Sequence, residues 1–369
     1  MSNVRSPFRI DSRDLATRRS RCKPLVDALR QRLVSGPRAC NVCGADSHAI
    51  VTNVDRYGLP VQTLMCTNCG LIQIGDRLTA HGYDEFYKSG AYRKLTSNFS
   101  GTRLSVEEVK RDQSAYSAEV ITLLSRLFRV RAGGTLLDVG GSVGIVAREV
   151  ASSLGVEGTV LDPSREEIAE ARAAGIHGIA STFERFETVA KYDVILLCRS
   201  IEHLFDLRGS ILKMRSLLSE GGLLFCDIVD FVECCRLTGT PQAVAKIDHC
   251  YWLCQETAPR IFASLGLRVV STNTSSDPEC IQYVLERCEP TPSAHCDEIV
   301  LHRLIRRLRE CDSDWRQESI TSASWSLRLR WWAYRNRRRA WRTISRWRPS
   351  RLTATIAPQQ PSSANESDF

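Results

Sequence analysis

The sequence predicts an α/β fold: a parallel sheet covered by helices, with a small cysteine-rich module ahead of it and a basic helical tail behind. Three observations carry this. Between residues 135 and 287 short apolar runs alternate with stretches of helical periodicity, joined by short turns, as in a sheet buried on both faces. A glycine loop sits where the first of those runs gives way to a helix. The last two β-rich runs are separated only by a polar loop and read as a closing antiparallel pair.

In chain order, residues 1–37 are a helical extension in which Pro24 opens a short helix over 25–33, ended by Gly36-Pro37. Residues 38–80 are a compact Cys/Gly segment with strands expected at 50–55 and 61–65. Residues 81–130 are linker and helix: aromatic and irregular to 103, then helical from a Ser105/Glu108 capping box to about Phe128. Residues 131–290 hold the sheet, with strands expected at 135–139, 159–161, 176–180, 192–197 and 223–228. Helices are expected between them near 143–154, 165–174 and 210–218. One more over 255–265 precedes the closing runs 268–274 and 281–287, and 291–369 is the tail.

At 369 residues the chain suits one catalytic domain with appendages. Its 43% apolar and 25% charged residues exclude a disordered, collagenous or membrane-embedded chain. No apolar run nears the roughly 20 residues of a membrane-spanning helix. The N-terminus, rich in arginine from Arg5 to Arg21, has no secretory apolar core, and Asp11 and Asp14 count against a transit peptide. The expected compartment is the cytoplasm. Fifteen cysteines in such a chain point to metal binding and reduced core thiols rather than disulfides.

The central motif is Leu136-Leu137-Asp138-Val139-Gly140-Gly141-Ser142-Val143-Gly144. Glycines at a strand-to-helix junction allow a tight turn and close backbone approach to a ligand at a helix N-terminus. Asp138 is placed to face a cationic amino-acid moiety. Asp162, 22 residues after Gly140, is placed to accept from both ribose hydroxyls. A nicotinamide site asks for Gly-x-Gly-x-x-Gly, and here Ser142 and Ile145 fill its second and third glycine positions. Further on come Ile201-Glu202-His203-Leu204 and Ser219-Glu220-Gly221-Gly222.

As a set and in this order, these motifs resemble the class I S-adenosylmethionine-dependent methyltransferases over about residues 131–290. The resemblance implies a Rossmann-like seven-stranded sheet with a reversed final hairpin. It implies S-adenosylmethionine as cofactor, held by Asp138, Gly140, Gly141, Gly144 and Asp162, with Arg199 near the cofactor edge. The chain departs from the family pattern at Ser142, which stands where the middle glycine of the loop is usual.

Cys40-Asn41-Val42-Cys43-Gly44 and Cys66-Thr67-Asn68-Cys69-Gly70 are two CxxC knuckles 22 residues apart. Four thiolates from paired knuckles make a closed tetrahedral site, so Cys40, Cys43, Cys66 and Cys69 are expected to hold a structural Zn2+ in a zinc ribbon. The ribbon, then Phe86-Tyr87 and Ala91-Tyr92-Arg93, then the core, resembles bacterial zinc-ribbon methyltransferases that modify deoxysugars and surface polysaccharides. Related sugar C-methyltransferases carry a further α/β domain that residues 291–369 are too short and too Arg/Trp-rich to form. The expected acceptor is therefore a hydroxyl or amine of a sugar, polysaccharide or lipid-linked saccharide.

A hydroxyl acceptor needs a base. His203 follows the fourth strand, His249 lies in the connection after the fifth, and Glu202 is placed to orient or replace His203. Each has a bland counterpart as a cap or packing group. Tyr87, Tyr92 and Arg93 are expected to close over cofactor or substrate and Tyr251 to line the pocket, with core packing as the other reading. Cys234, Cys235, Cys250 and Cys254 lack knuckle spacing and read as buried thiols.

The net charge of +8 is local: residues 319–365 hold ten arginines and no acid, which leaves the rest of the chain at −2. Six of the seven tryptophans lie between 315 and 347. Residues 325–351 are accordingly expected to contact an anionic membrane surface, at the inner face, with Trp at headgroup level and Arg on phosphates. A basic tail with no specific partner is the next reading, and nucleic acid follows it, because no reader motif accompanies the charge. The competing functions are a non-catalytic zinc-ribbon and Rossmann binding or scaffold protein, and a nucleic-acid methyltransferase that uses the basic tail.

Overall fold

The computed structural model describes residues 9–36, 39–101, 106–129 and 133–321. The expected Ser105 cap and the Arg/Trp tail lie outside them. All of the architecture below belongs to one compact unit, residues 1–322.

The N-terminal part runs α1 (Ser12–Arg30), β1 (Val34–Ser35), β2 (His48–Thr52), β3 (Thr63–Cys66), β4 (Ile72–Ile74) and β5 (Asp76–Arg77), then α2 (Ala80–Lys88), α3 (Ala91–Ser100) and α4 (Val106–Leu124). The core follows as β6 (Thr135–Val139), α5 (Ile145–Leu154), β7 (Glu157–Asp162), α6 (Arg165–Ala173), β8 (His177–Ala180), β9 (Tyr192–Leu197), α7 (Leu207–Leu217) and β10 (Leu218–Val229). It closes with α8 (Phe231–Thr238), β11 (Tyr251–Trp252), α9 (Ala258–Ser264), β12 (Leu267–Thr274), β13 (Cys280–Arg287) and α10 (Glu298–Thr321).

The main sheet has seven strands in the order β12-β13-β10-β9-β6-β7-β8. Neighbours from β10 to β8 are parallel, and β13 is antiparallel to both β10 and β12. This is the α/β sheet with a reversed final hairpin that the sequence predicts. Its strands read as continuous apolar runs because both faces are buried. In β9, Val194 and Leu196 belong to one hydrophobic cluster with Val146 and Val150 of α5, while Ile195 and Leu197 belong to another with Ile211 and Met214 of α7.

Three local expectations are corrected. Pro24 lies inside α1, which starts at Ser12 because Asp11 caps it through the Asp14 amide at 2.8 Å. The stretch expected to be irregular from 81 to 103 forms α2 and α3, divided by Gly90 in a left-handed conformation. Helix α7 begins at Leu207 because Asp206 accepts from the Gly209 amide at 3.1 Å.

The cysteine segment forms its own antiparallel sheet, in the order β11-β4-β3-β2. Its strands fall at His48–Thr52 and Thr63–Cys66 rather than at 50–55 and 61–65. The fourth strand, β11, comes from the far side of the core, with Tyr251 opposite Gln73 and Trp252 opposite Ile72. Trp252 is fully buried, its ring 5.3 Å from that of Phe231. Leu59, Val61 and Met65 of the cysteine segment accordingly share one hydrophobic cluster with Ile211 and Phe262 of the core.

That docking is close-packed at Gly70, whose φ is +79°: a Cβ there would lie 2.6 Å from Thr257 Cγ2 and 3.1 Å from Leu301 Cδ2. Gly70→Ala is expected to destabilise the chain by about 1–3 kcal/mol, read as a lower urea midpoint with unchanged m. A wild-type midpoint would contradict this packing.

Candidate active site and four-cysteine centre

Strand order reverses between β6 and β9, and the crevice at their carboxyl ends is where such sheets bind ligands. The glycine loop lines it. Gly140 and Gly144 take φ of +78° and +75°, and a Cβ on Gly140 would lie 2.9 Å from Ser200 Cβ. On Gly141 a Cβ would lie 2.5 Å from Asp138 Oδ2. Ser142, in place of the usual glycine, still adopts φ +54°, at a cost of about 1–2 kcal/mol. Its amide donates to Asp162 Oδ2 at 3.0 Å, which holds the turn. Helix α5 starts directly after the loop with no side-chain cap.

Asp138 is fully buried, and neither carboxylate oxygen has a hydrogen-bond partner. Burial, with Asp162 and Asp227 nearby, pushes its pKa up to about 7. An orphaned buried carboxylate is costly unless a cation or donor meets it. The ammonium of an amino-acid moiety is such a group, so the loop fits the aminoacyl end of S-adenosylmethionine. Asp162 ends β7, its Oδ1 accepting the Ser164 amide at 2.8 Å; burial raises it to about 6 although that amide lowers it. Each of its oxygens keeps a lone pair for a ribose hydroxyl.

Across the crevice the structure brings together His203, His249, Tyr87 and Tyr92. The His203 and His249 rings meet edge-on at 4.6 Å, and the Tyr92 ring lies 5.4 Å from Tyr87 and 6.1 Å from His203. The Asp248 carbonyl accepts from His203 Nδ1 at 2.7 Å and from the Tyr87 hydroxyl at 2.9 Å. A carbonyl only accepts, so the proton of neutral His203 is on Nδ1 and the lone pair on Nε2. Burial, helped by Lys246, lowers His203 to about 4 and holds His249 well below the usual histidine range. Both rings are therefore neutral at pH 7.

Asp248 is the group that motif reasoning passed over. It is buried, accepts from the Tyr57 hydroxyl at 3.1 Å and lies 3.3 Å from Lys246 Nζ. Its pKa is lowered: burial raises it, but Lys246, His203 and Arg56 outweigh that. The available signal was the Asp-His pair just ahead of Tyr251-Trp252.

The other expected site residues are engaged elsewhere. Arg199, at φ +54°, gives its guanidinium to Asp227 Oδ2 at 3.0 Å and Asp277 Oδ2 at 3.2 Å. It braces β10 against the β12–β13 loop, one residue before Ser200, which packs on Gly140 of the loop. Glu202 is buried, with Oε1 accepting the Val229 amide at 2.7 Å and its carbonyl accepting the Cys250 amide at 2.8 Å. Tyr251 donates to the Phe205 carbonyl at 3.0 Å. Arg93 pairs with Glu167 at the start of α6, next to Asp162. A surface cleft of about 270 Å3 between β2 and α10 contains none of these residues.

Cys40, Cys43, Cys66 and Cys69 converge with all four sulfurs within 4.8 Å of one another. Sγ of Cys40 lies 3.5 Å from that of Cys69, and Sγ of Cys43 lies 3.6 Å from that of Cys66. A tetrahedron with Zn–S bonds of about 2.3 Å has edges of roughly 3.8 Å, so the set fits zinc. Gly44 and Gly70 follow the knuckles with φ of +74° and +79°, their amides donating to the Cys40 and Cys66 carbonyls at 2.9 Å.

Residues 111–272 match the model of a family described as a methyltransferase domain. That stretch is similar to a methyltransferase domain and falls on the sheet and glycine loop described above. No curated protein matches the sequence. Among solved structures, the CcbJ methyltransferase from Streptomyces caelestis aligns at 15% identity and TM-score 0.39, over 47% of this chain and 89% of that one. Magnesium protoporphyrin IX methyltransferase (ChlM) from Synechocystis, with bound SAH, aligns at 14% identity and TM-score 0.42, over 55% and 97%. The N-methyltransferase NodS from Bradyrhizobium japonicum aligns at 22% identity and TM-score 0.36, over 48% and 99%.

Asp138 supplies a pH test. Its carboxyl rises from about 3.9 in the unfolded chain to about 7 in the fold. The folded state then binds the extra proton, so this group's contribution to stability falls as pH rises between about 4 and 7. Asp138→Asn is expected to flatten that fall in urea unfolding of the unliganded protein. An unchanged pH slope would contradict the orphaned carboxylate.

Proposed function

We propose that the protein transfers a methyl group from S-adenosylmethionine to a hydroxyl or amine of a saccharide-type acceptor, free or lipid-linked. The observation that carries this reading is the placement of Asp248, His203 and His249 at the same sheet edge as the glycine loop and the orphaned Asp138. When bound, S-adenosylmethionine supplies a methyl group activated on a sulfonium.

The chain's own residues then have separable tasks. Asp138 neutralises the ammonium, and Asp162 holds the ribose. The α2–α3 segment, with Tyr87 and Tyr92 facing His203, walls the acceptor side from water. His203, with Nδ1–H fixed on the Asp248 carbonyl, offers Nε2 to the acceptor's proton. Neutral His249 and ionised Asp248 stabilise the charge that this proton brings. A cluster of imidazole, carboxylate and phenol groups suits a polyhydroxylated acceptor, and the order of ribbon, aromatic linker and core supports a saccharide.

Calorimetric titration with S-adenosylmethionine is expected to show micromolar binding, shared by S-adenosylhomocysteine and not by NAD, and weakened in Asp138→Ala and Asp162→Ala. His203→Ala and His249→Ala should bind the cofactor as wild type does while turnover of a sugar acceptor falls roughly 100- to 10,000-fold. Absence of cofactor binding by the folded, zinc-loaded chain would favour the scaffold reading.

The same proposal places residues 325–351 on anionic membranes, on the support of their Arg/Trp composition. Vesicles containing anionic lipid should cosediment the full chain, and replacing Arg335, Arg337, Arg338 and Arg339 with Gln should release it. Salt-sensitive RNA binding in place of vesicle binding would transfer the tail to nucleic acid.

A further inference from the structure

One ligand atom from each of His203, Asp248 and His249 lies within 4.8 Å of the other two. His249 Nδ1 is buried without a hydrogen-bond partner, and Asp248 Oδ2, likewise without one, has only the ion pair to Lys246 Nζ at 3.3 Å. Buried polar atoms are almost always satisfied, and an ion is one of the few things that explain an exception.

The surroundings have the form that supports metal ligands. A ligating histidine usually donates its other ring N–H to a carbonyl or carboxylate, and a ligating carboxylate is itself hydrogen-bonded. His203 Nδ1 is 2.7 Å from the Asp248 carbonyl, which leaves Nε2 for a ligand. Asp248 Oδ1 accepts from the Tyr57 hydroxyl at 3.1 Å, which leaves Oδ2.

We infer that His203, Asp248 and His249 form a second metal site, for a divalent transition-metal ion of the zinc type, separate from the four-cysteine centre. Two imidazoles and one carboxylate leave coordination positions open, as in catalytic rather than structural zinc sites. Water or an acceptor oxygen takes those positions, and with the ion bound His203 Nε2 is a ligand and no longer the base, the acceptor hydroxyl being acidified by the metal and giving its proton to solvent; the acceptor role rests on the proposed methyl transfer, whereas the site itself does not. Lys246 Nζ, 3.3 Å from Asp248 Oδ2, is the cation that an ion must displace. Its side chain is 19% exposed, and its flexible four-carbon stem lets the ammonium move to solvent.

The test is a Co2+ titration of the full chain with its cysteine centre already loaded with zinc. One further equivalent is expected, with weak ligand-field absorption and no thiolate-to-cobalt charge-transfer band. His203→Gln and His249→Gln should lose it, and Lys246→Gln should bind Co2+ more tightly because a competing charge is gone. Three results would overturn the site: no further equivalent, a sulfur-type spectrum, or affinity that ignores all three substitutions. Should the histidine variants fail to fold, the wild-type spectrum and Lys246→Gln decide the matter. S-adenosylmethionine calorimetry on the same samples separates failure of this site from failure of the methyltransferase reading.

Discussion

The site depends on a set of contacts between the β2–β3 loop of the cysteine module and the segment ahead of β11. Arg56 donates its amide to the Ala245 carbonyl at 2.7 Å, and Asp55 Oδ2 accepts the Ile247 amide at 3.1 Å. Tyr57 reaches Asp248 Oδ1, and the Ile74 amide donates to the Cys250 carbonyl at 3.0 Å. Residues 245–250 therefore have their backbone held by the module at Ala245, Ile247 and Cys250, and by the core where Glu202 accepts the Cys250 amide and His203 meets the Asp248 carbonyl. Asp55 is wholly buried, and burial pushes its carboxyl up to about 7. Three backbone amides, of Tyr57, Leu59 and Ile247, satisfy it. The four-cysteine module thus forms the wall on which Asp248 and His249 are mounted.

The opposite wall of the crevice is held by strain and buried charge. The two non-glycine residues with positive φ among the described residues, Ser142 and Arg199, follow the neighbouring strands β6 and β9. Each is held by a carboxylate, Asp162 for Ser142 and Asp227 for Arg199, which accept their backbone amides. Asp227 also accepts from the Tyr116 hydroxyl at 2.8 Å. Such costs persist where surrounding contacts over-determine the conformation, and ligand sites are where they gather. Asp138 differs from these carboxylates in having no partner in the fold, which marks the position as one for a bound group.

Much of the core was legible. Strands β6 and β9 stood where apolar runs placed them, because sides buried on both faces leave a continuous run. Helix starts were less legible where the cap is one acidic residue such as Asp11 or Asp206, since an aspartate is equally at home on a solvated surface. The irregular reading of 81–103 failed because α2 and α3 are short and bury only a few residues each, among them Tyr83, Phe86, Leu95 and Phe99. The partners of Arg199 were illegible for a different reason. Its neighbours Asp227 and Asp277 are remote in sequence, and nothing local says which way a guanidinium turns.

What the sequence determined alone was chemistry written over short spans: two CxxC knuckles, an acid-and-glycine loop, an aspartate ending the next strand. Each works through a backbone turn of a few residues, so spacing suffices to define it. Tertiary structure decided what lies between distant segments. It made β11 a strand of the cysteine module's sheet, gave Glu202 to the Val229 amide and assembled Asp248 with His203 and Tyr87. Those contacts rest on a carbonyl or a carboxylate meeting a donor 27 or more residues away, and no local pattern of residue types encodes such a meeting.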